Sequence, residues 1–138
     1  MKRKNLLIYL LFFSAVLLLY LLFFRESSEM KNRIAVEQQL ADALDQAESV
    51  WIRPALMEGA GRDFTRLEEE ELLMNLRLQG EVSEADGRPV LTNEHAVYRV
   101  TILSSESLIL EATPLYGSDP LSVTLRKSGE NWIRDPNF

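Results

Sequence analysis

The chain has one histidine, His95, in the stretch Thr92-Asn93-Glu94-His95-Ala96. A histidine beside a carboxylate could serve as a general base, but that chemistry needs a nucleophile or an orienting group, and the sequence nominates neither. His95 therefore reads as a loop residue just ahead of a strand. The four acids from Glu68 to Glu71 could offer oxygen ligands to a cation. Acids in a first helical turn are also what the helix dipole favours, and no second group of ligands accompanies them. Gly59 and Gly61 lack the preceding strand and the Lys-Ser/Thr of a phosphate loop, and so read as a helix stop. Trp51, Tyr98, Tyr116 and Trp132 could build an aromatic platform for a ligand, with packing in a core or at a sheet edge as the expectation. Carboxylates are numerous, yet sequence spacing singles out no pair held across a cleft. The residues thus predict no catalytic centre, cofactor or metal, and place function in surfaces.

What must position those surfaces begins with a run of 19 residues, Leu6 to Phe24, that has no charge, amide, Gly or Pro. As a helix it rises roughly 28 Å, about one hydrocarbon core. Its length, and the absence of a small-residue cleavage site after it, predict a retained signal anchor rather than a removed signal. Lys2, Arg3 and Lys4 lie before it and Arg25 and Glu26 after it. The positive-inside bias then predicts a cytoplasmic N-terminus at 1–4, a span at 5–24, and an extracytoplasmic domain at 25–138. Tyr20 and Arg25 are the expected membrane-interface residues. The expected location is the inner membrane, crossed once.

Charge bounds the partners. Residues 26–138 carry 11 basic against 21 acidic groups, a net charge of -10. Phosphate binding needs clustered Lys and Arg, so nucleic acid is excluded as a partner class. There is no cysteine, which removes disulfides, thiolate chemistry, Cys-ligated metals and a lipoprotein anchor.

No Gly or Pro occurs between Asn5 and Arg53, so one long helix can leave the span and continue. Val36, Leu40, Ala43, Ala47 and Val50 recur at spacings of four and three, widened by Leu44 and Trp51. These seven residues form the expected seam of a helix at about 29–57, and are the interaction candidates wherever the seam is not spent covering a sheet. Glu37, Gln38, Asp42, Asp45, Gln46 and Glu48 occupy the opposite face, expected to be solvated or to meet a polar partner. Pro54 should end the helix. Thr65 and Glu68 match a capping box for a short helix at about 66–75. The period then changes to two. Leu76, Leu78 and Val82, then Ala96–Leu103, Ser107–Thr113 and Leu121–Lys127, predict an antiparallel sheet of about four strands within 76–134, with a turn at Asp86-Gly87. The fold class is α+β.

The segment Tyr98–Trp132 resembles the C-terminal sheet of type IV pilin-like proteins. Leu110, Ala112, Thr113 and Pro114 match its middle element, and Leu121 to Leu125, Gly129 and Trp132 its last. The order of parts agrees: apolar helix, amphipathic helix, linker, sheet. The leader Gly and the early Glu of those proteins are absent, so leader processing is not implied. The resemblance implies a membrane-anchored subunit of an envelope complex such as a pilus or secretion apparatus, with other envelope membrane proteins, or further copies of itself, as partners. The closing stretch Ser122–Pro136 also resembles membrane-anchored nuclear transport factor 2-like (NTF2-like) domains. That alternative implies a curved sheet and a binding module.

Overall fold

The computed structural model describes residues 2–116 and 119–138, with the side chains of 25–27 left aside. The protein is α+β: a helix α1 (Lys2–Ile52), a short helix α2 (Glu69–Asn75), and six strands. These are β1 (Glu81–Ala85), β2 (Arg88–Thr92), β3 (Ala96–Ser104), β4 (Ser107–Pro114), β5 (Leu121–Ser128) and β6 (Asn131–Pro136). The chain divides into two compact units, Met1–Lys31 and Asn32–Phe138.

In the first unit, every large apolar side chain from Leu6 to Phe24 is exposed. By length and composition this stretch of α1 is long and apolar enough to cross a membrane. Tyr20 stacks on Phe24, one turn later, with ring centroids 6.3 Å apart. The other expected interface residue, Arg25, falls among the side chains not described.

In the second unit, the sheet is a meander with all neighbours antiparallel, in the order β1-β2-β3-β4-β5-β6. It has six strands where the sequence patterning predicts about four. Two were hidden for physical reasons. β2 is five residues long and includes Pro89, which has no N–H to give a ladder. The ladder to β3 is confined to Leu91↔Tyr98 and Thr92↔Val97, so Pro89 lies where β2 has already left β3. β6 alternates weakly and runs into Pro136 at the sheet edge. The apparent strand at Leu76 and Leu78 is not one: Leu76 is the C-terminal cap of α2, and pairing begins at Glu81. The Asp86-Gly87 turn is as expected, both residues having φ above zero, at 56° and 75°.

Period-two patterning gives the sheet one buried face. Tyr98 and Val100 of β3, Leu108, Leu110 and Ala112 of β4, and Leu121, Val123 and Leu125 of β5 pair across the strands and are all buried. Val36, Leu40, Ala43, Leu44, Ala47, Val50 and Trp51 of α1 join them in one apolar cluster with Phe64, Leu72 and Leu73.

The helix ends earlier than the expected position 57. Ile52 is its last residue, Pro54 is extended at ψ 149°, and only a 3-10 turn at Ala55–Met57 follows. Proline disfavours the helical conformation of the residue before it. The chain then folds back over the helix end. Ala60, Arg62 and Gly61 donate their backbone N–H groups to the carbonyls of Val50, Trp51 and Arg53, satisfying acceptors the helix would leave bare. Gly59 permits this return. A Cβ there would lie 2.1 Å from the Arg53 carbonyl oxygen, so Gly59→Ala must move backbone rather than a side-chain tip. The expected result is faster proteolytic cutting between Arg53 and Arg66 in Gly59→Ala than in Gly87→Ala, where the space is open. Equal cutting would show that the close return is unimportant.

The Thr65–Glu68 capping box does not form. Asp63 instead accepts the Thr65 N–H at 3.0 Å and caps a 3-10 turn at Phe64–Arg66. Asp reaches an N–H two residues on without any help from position 68. Glu68 occupies the N-cap position of α2 without a side-chain cap, and α2 starts at Glu69, three residues later than expected.

Candidate functional site

All seven seam candidates lie in the core. Val36, Leu40, Ala43, Leu44, Ala47, Val50 and Trp51 are each 4% exposed or less. The seam is spent covering the sheet, and it is not a surface for another molecule. What it covers is chiefly the apolar face of β3, β4 and β5, whose inward residues join it in one cluster. The functional question therefore passes to what remains outside.

Three polar links tie α1 to the sheet in the second unit, none of them evident from apolar spacing. Asn32, almost fully buried, donates to the His95 carbonyl at 3.2 Å and lies 2.9 Å from His95 Nδ1 through its own oxygen. His95 Nε2 is 3.3 Å from Glu94. The single histidine thus joins the loop before β3 to α1. In the middle of the helix, Gln39 Oε1 accepts from Tyr98 Oη and from Asn93 Nδ2. At the β6 edge, Arg134 reaches Asp45 at 2.5 Å and Glu48 at 3.2 Å. Burial works against that charge, but the hydrogen bonds it donates to these two carboxylates hold the Arg134 guanidinium above its ordinary pKa. Asp45, which is exposed, and Glu48, half-buried, thus find their polar partner in the last strand. A cation at i and acids at a distance of about ninety residues leave no periodic trace.

Burial pushes the Tyr98 phenol well above its ordinary pKa of 10.0, the main cause being loss of water around the charged form. A raised phenol pKa stabilises the fold fully below about pH 10, and that stability falls as pH rises through the unfolded value toward the folded one. Tyr98→Phe is therefore expected to cost about 1 kcal/mol at neutral pH through the lost hydrogen bond, and to flatten the alkaline loss of stability. Denaturant midpoints from pH 7 to 11 check this. An unchanged alkaline slope would sink it.

Of the aromatic platform, Trp51 and Trp132 meet. They are edge-to-face at 5.3 Å, with Phe64 6.1 Å from Trp132. Lys127 Nζ lies 4.1 Å from the centre of the Trp51 ring, and Trp51 Nε1 donates to the Ser105 carbonyl at 2.9 Å. The cluster pins the end of the helix to the β3–β4 turn. Its ring face is occupied by the chain's own ammonium. Tyr98 is in the core and Tyr116 is exposed.

Among the described residues no group of three or more His, Asp or Glu side chains could hold a metal ion. A groove of about 420 Å³ runs between α1 and residues 76–79, with Gln39, Asp42, Gln46, Arg77 and Gln79 among its walls. Its lining mixes amides and charges with Ala43, Leu76 and Leu78 and has no aromatic face, and it lies beside the helix rather than in a hollow of the sheet.

The loop that caps α1 stands out among the remaining surfaces. Leu56 is 100% exposed and Met57 66%, while Gly59 and Ala60 are buried, Gly59 donating to the Pro54 carbonyl and Ala60 to that of Val50 in the helix. Sequence reasoning treated this stretch as a mere stop. The signal was present, in two apolar residues between Pro54 and Gly59 flanked by Arg53 and Arg62, but it has no period. With that geometry in hand, comparison of the chain with known protein families, with characterised proteins and with solved structures finds no match in any of the three.

Proposed function

We propose that this protein is a single-pass subunit of a bacterial envelope complex, anchored in the cytoplasmic membrane by its N-terminal helix. Its α+β domain lies outside the cytoplasm and serves assembly rather than catalysis. The observation that carries the reading is the split use of α1. From Leu6 to Phe24 its apolar side chains are all exposed, whereas from Val36 to Trp51 its seam is buried as the core of a folded domain. A protein that spends its best apolar helix face internally, and leaves an uninterrupted apolar run for lipid or for other membrane helices, is built to be held in place.

The order of parts supports a pilin-like subunit over the NTF2-like binding module. In the latter a concave sheet would keep an open apolar hollow. Here Tyr98, Val100, Leu108, Leu110 and Leu125 have no exposure at all, so the covered face is filled by side chains. The occupied state of His95, held by Asn32 and next to Glu94, supports a structural task for the one histidine.

The test is topology and company in native membranes. A reporter active only outside the cytoplasm, fused after Phe138, should be active, the chain should resist alkaline extraction, and crosslinking should trap a reproducible larger species. A cytoplasmic reporter signal, or extraction at alkaline pH, would overturn the anchored orientation. Recovery of monomers alone would overturn the assembly role.

A further inference from the structure

The loop over the end of α1 is tied down by backbone hydrogen bonds where its position would suggest slack. Between Arg53 and Arg62, Met57 and Gly59 both bond back to Pro54, and Ala60, Gly61 and Arg62 bond to the last turn of the helix. This fixed backbone holds Leu56 and Met57 out into water next to the exposed Ile52. An apolar pair displayed on an ordered loop costs solvation without gaining burial, which is what a docking knob requires and a linker does not. The charge around it is also unusual for this chain. Arg53 and Arg62 have no ion-pair partner among the described residues, in a stretch of net charge -10 from residue 26 onward.

The complement is present in the same unit. Glu69 of α2 is taken by Arg88, with 3.2 Å from Nη2 to each carboxylate oxygen. Glu70 and Glu71 are exposed and have no cation among the described residues, and Met74, one turn later, is exposed too. The outer side of α2 is therefore two unspent carboxylates and one apolar side chain, while the loop offers two unspent guanidinium groups, one exposed carboxylate (Glu58) and two apolar side chains. The two patches do not neutralise each other within the chain.

Resting on the assembly role proposed above, we infer that the loop carrying Leu56 and Met57 docks onto the outer side of α2 of a second copy of this chain, with Arg53 and Arg62 facing Glu70 and Glu71. A second copy fits better than an anionic lipid surface or an unrelated acidic protein, because the chain itself supplies both halves of the contact, a net basic loop and an acidic helix side, each with exposed apolar side chains. The joined surfaces differ, so the contact extends from copy to copy unless a two-fold axis makes it twice.

The absence of native cysteine makes the test direct. Full-length Leu56→Cys and Met74→Cys chains carrying different tags are expressed together in the native membrane and oxidised mildly. The expected result is a mixed disulfide between the two tags in clear excess over either like pair. Reversal of both arginines (Arg53→Glu, Arg62→Glu) in the Leu56→Cys chain should cut the mixed product roughly tenfold, the effect of about 1.4 kcal/mol of lost contact. Glu70→Arg with Glu71→Arg in the other chain should restore it. Arg62, Glu70 and Glu71 are exposed and Arg53 is half-buried, and an unchanged unfolding midpoint confirms that folding is intact. Equal yields of mixed and like pairs, or a yield indifferent to charge reversal, would overturn the inference. If Leu56→Cys links instead to a different protein, or the knob binds anionic vesicles and not a second copy, the inference fails while the assembly role stands. If no partner of any kind is trapped in native membranes, both fail.

Discussion

Leu40→Ala is expected to lower the unfolding free energy by about 2–5 kcal/mol, the usual cost of removing a buried leucine from a core that cannot close around the gap. Leu40 is 1% exposed and sits between Val36 and Leu44 on the buried side of α1, facing strands whose own residues reach zero exposure. Neighbours on a sheet are held by their ladders and on a helix by its backbone, so neither side can collapse far into the space left by the missing side chain. Stabilities of small domains are themselves only about 5–15 kcal/mol, so the loss takes a large part of the whole. Ile34→Ala is the control. It deletes a side chain of similar size on the same helix, but one that is 60% exposed, and should change stability by less than about 0.5 kcal/mol. Denaturation of the full chain in detergent, followed by tryptophan fluorescence, reads both, since Trp51 and Trp132 pack together beside the core. Similar midpoints for the two variants would mean that the seam is not what covers the sheet.

That comparison also marks what the sequence could convey. Apolar spacing located the seam residue by residue, because a helix on a sheet obeys one period and each seam position has the same environment. The alternation along β3, β4 and β5 was legible for the same reason. β2 and β6 were not, since one carries Pro89 and leaves β3 after two pairs, and the other ends in Pro136 at an edge where only one neighbour imposes a pattern. The surfaces were least legible. The Asn32–His95 and Arg134–Asp45 links join positions separated by 63 and 89 residues, a distance over which only the folded backbone sets the spacing. The knob at Leu56 was hidden in a loop, where local chemistry announces a turn and is silent about what the turn displays. The seam was legible as an apolar face, but that all of it lies against β3, β4 and β5 follows only from the folded arrangement.

The second large effect concerns the apolar run. Phe13→Lys together with Leu17→Lys should release the protein from the membrane fraction. On the insertion scale, Leu, Ile, Phe and Val each contribute roughly -0.3 to -0.6 kcal/mol at the helix centre, and Lys about +2.5 to +3.5. The fifteen such residues between Leu6 and Phe24 therefore favour insertion by several kcal/mol in total. Two central lysines one turn apart cost about 6–8 kcal/mol, which cancels that sum, and their like charges on one helical face repel as well. Snorkelling cannot rescue them, because both sit near the middle of the run, about two turns or more from either end. Ser14→Ala serves as the comparison: its hydroxyl already bonds to the Leu11 carbonyl at 2.9 Å, so its loss leaves the run apolar and insertion intact. Phe13 and Leu17 are both exposed, so the double variant removes nothing from the core of the domain, and its unfolding midpoint should match that of the unsubstituted chain. The measurement is partition between alkaline-washed membranes and the soluble fraction. A double-lysine chain that stays with the membrane would show that the run is not the anchor. Release with a lowered midpoint would show that the two halves of α1 do not carry separate tasks.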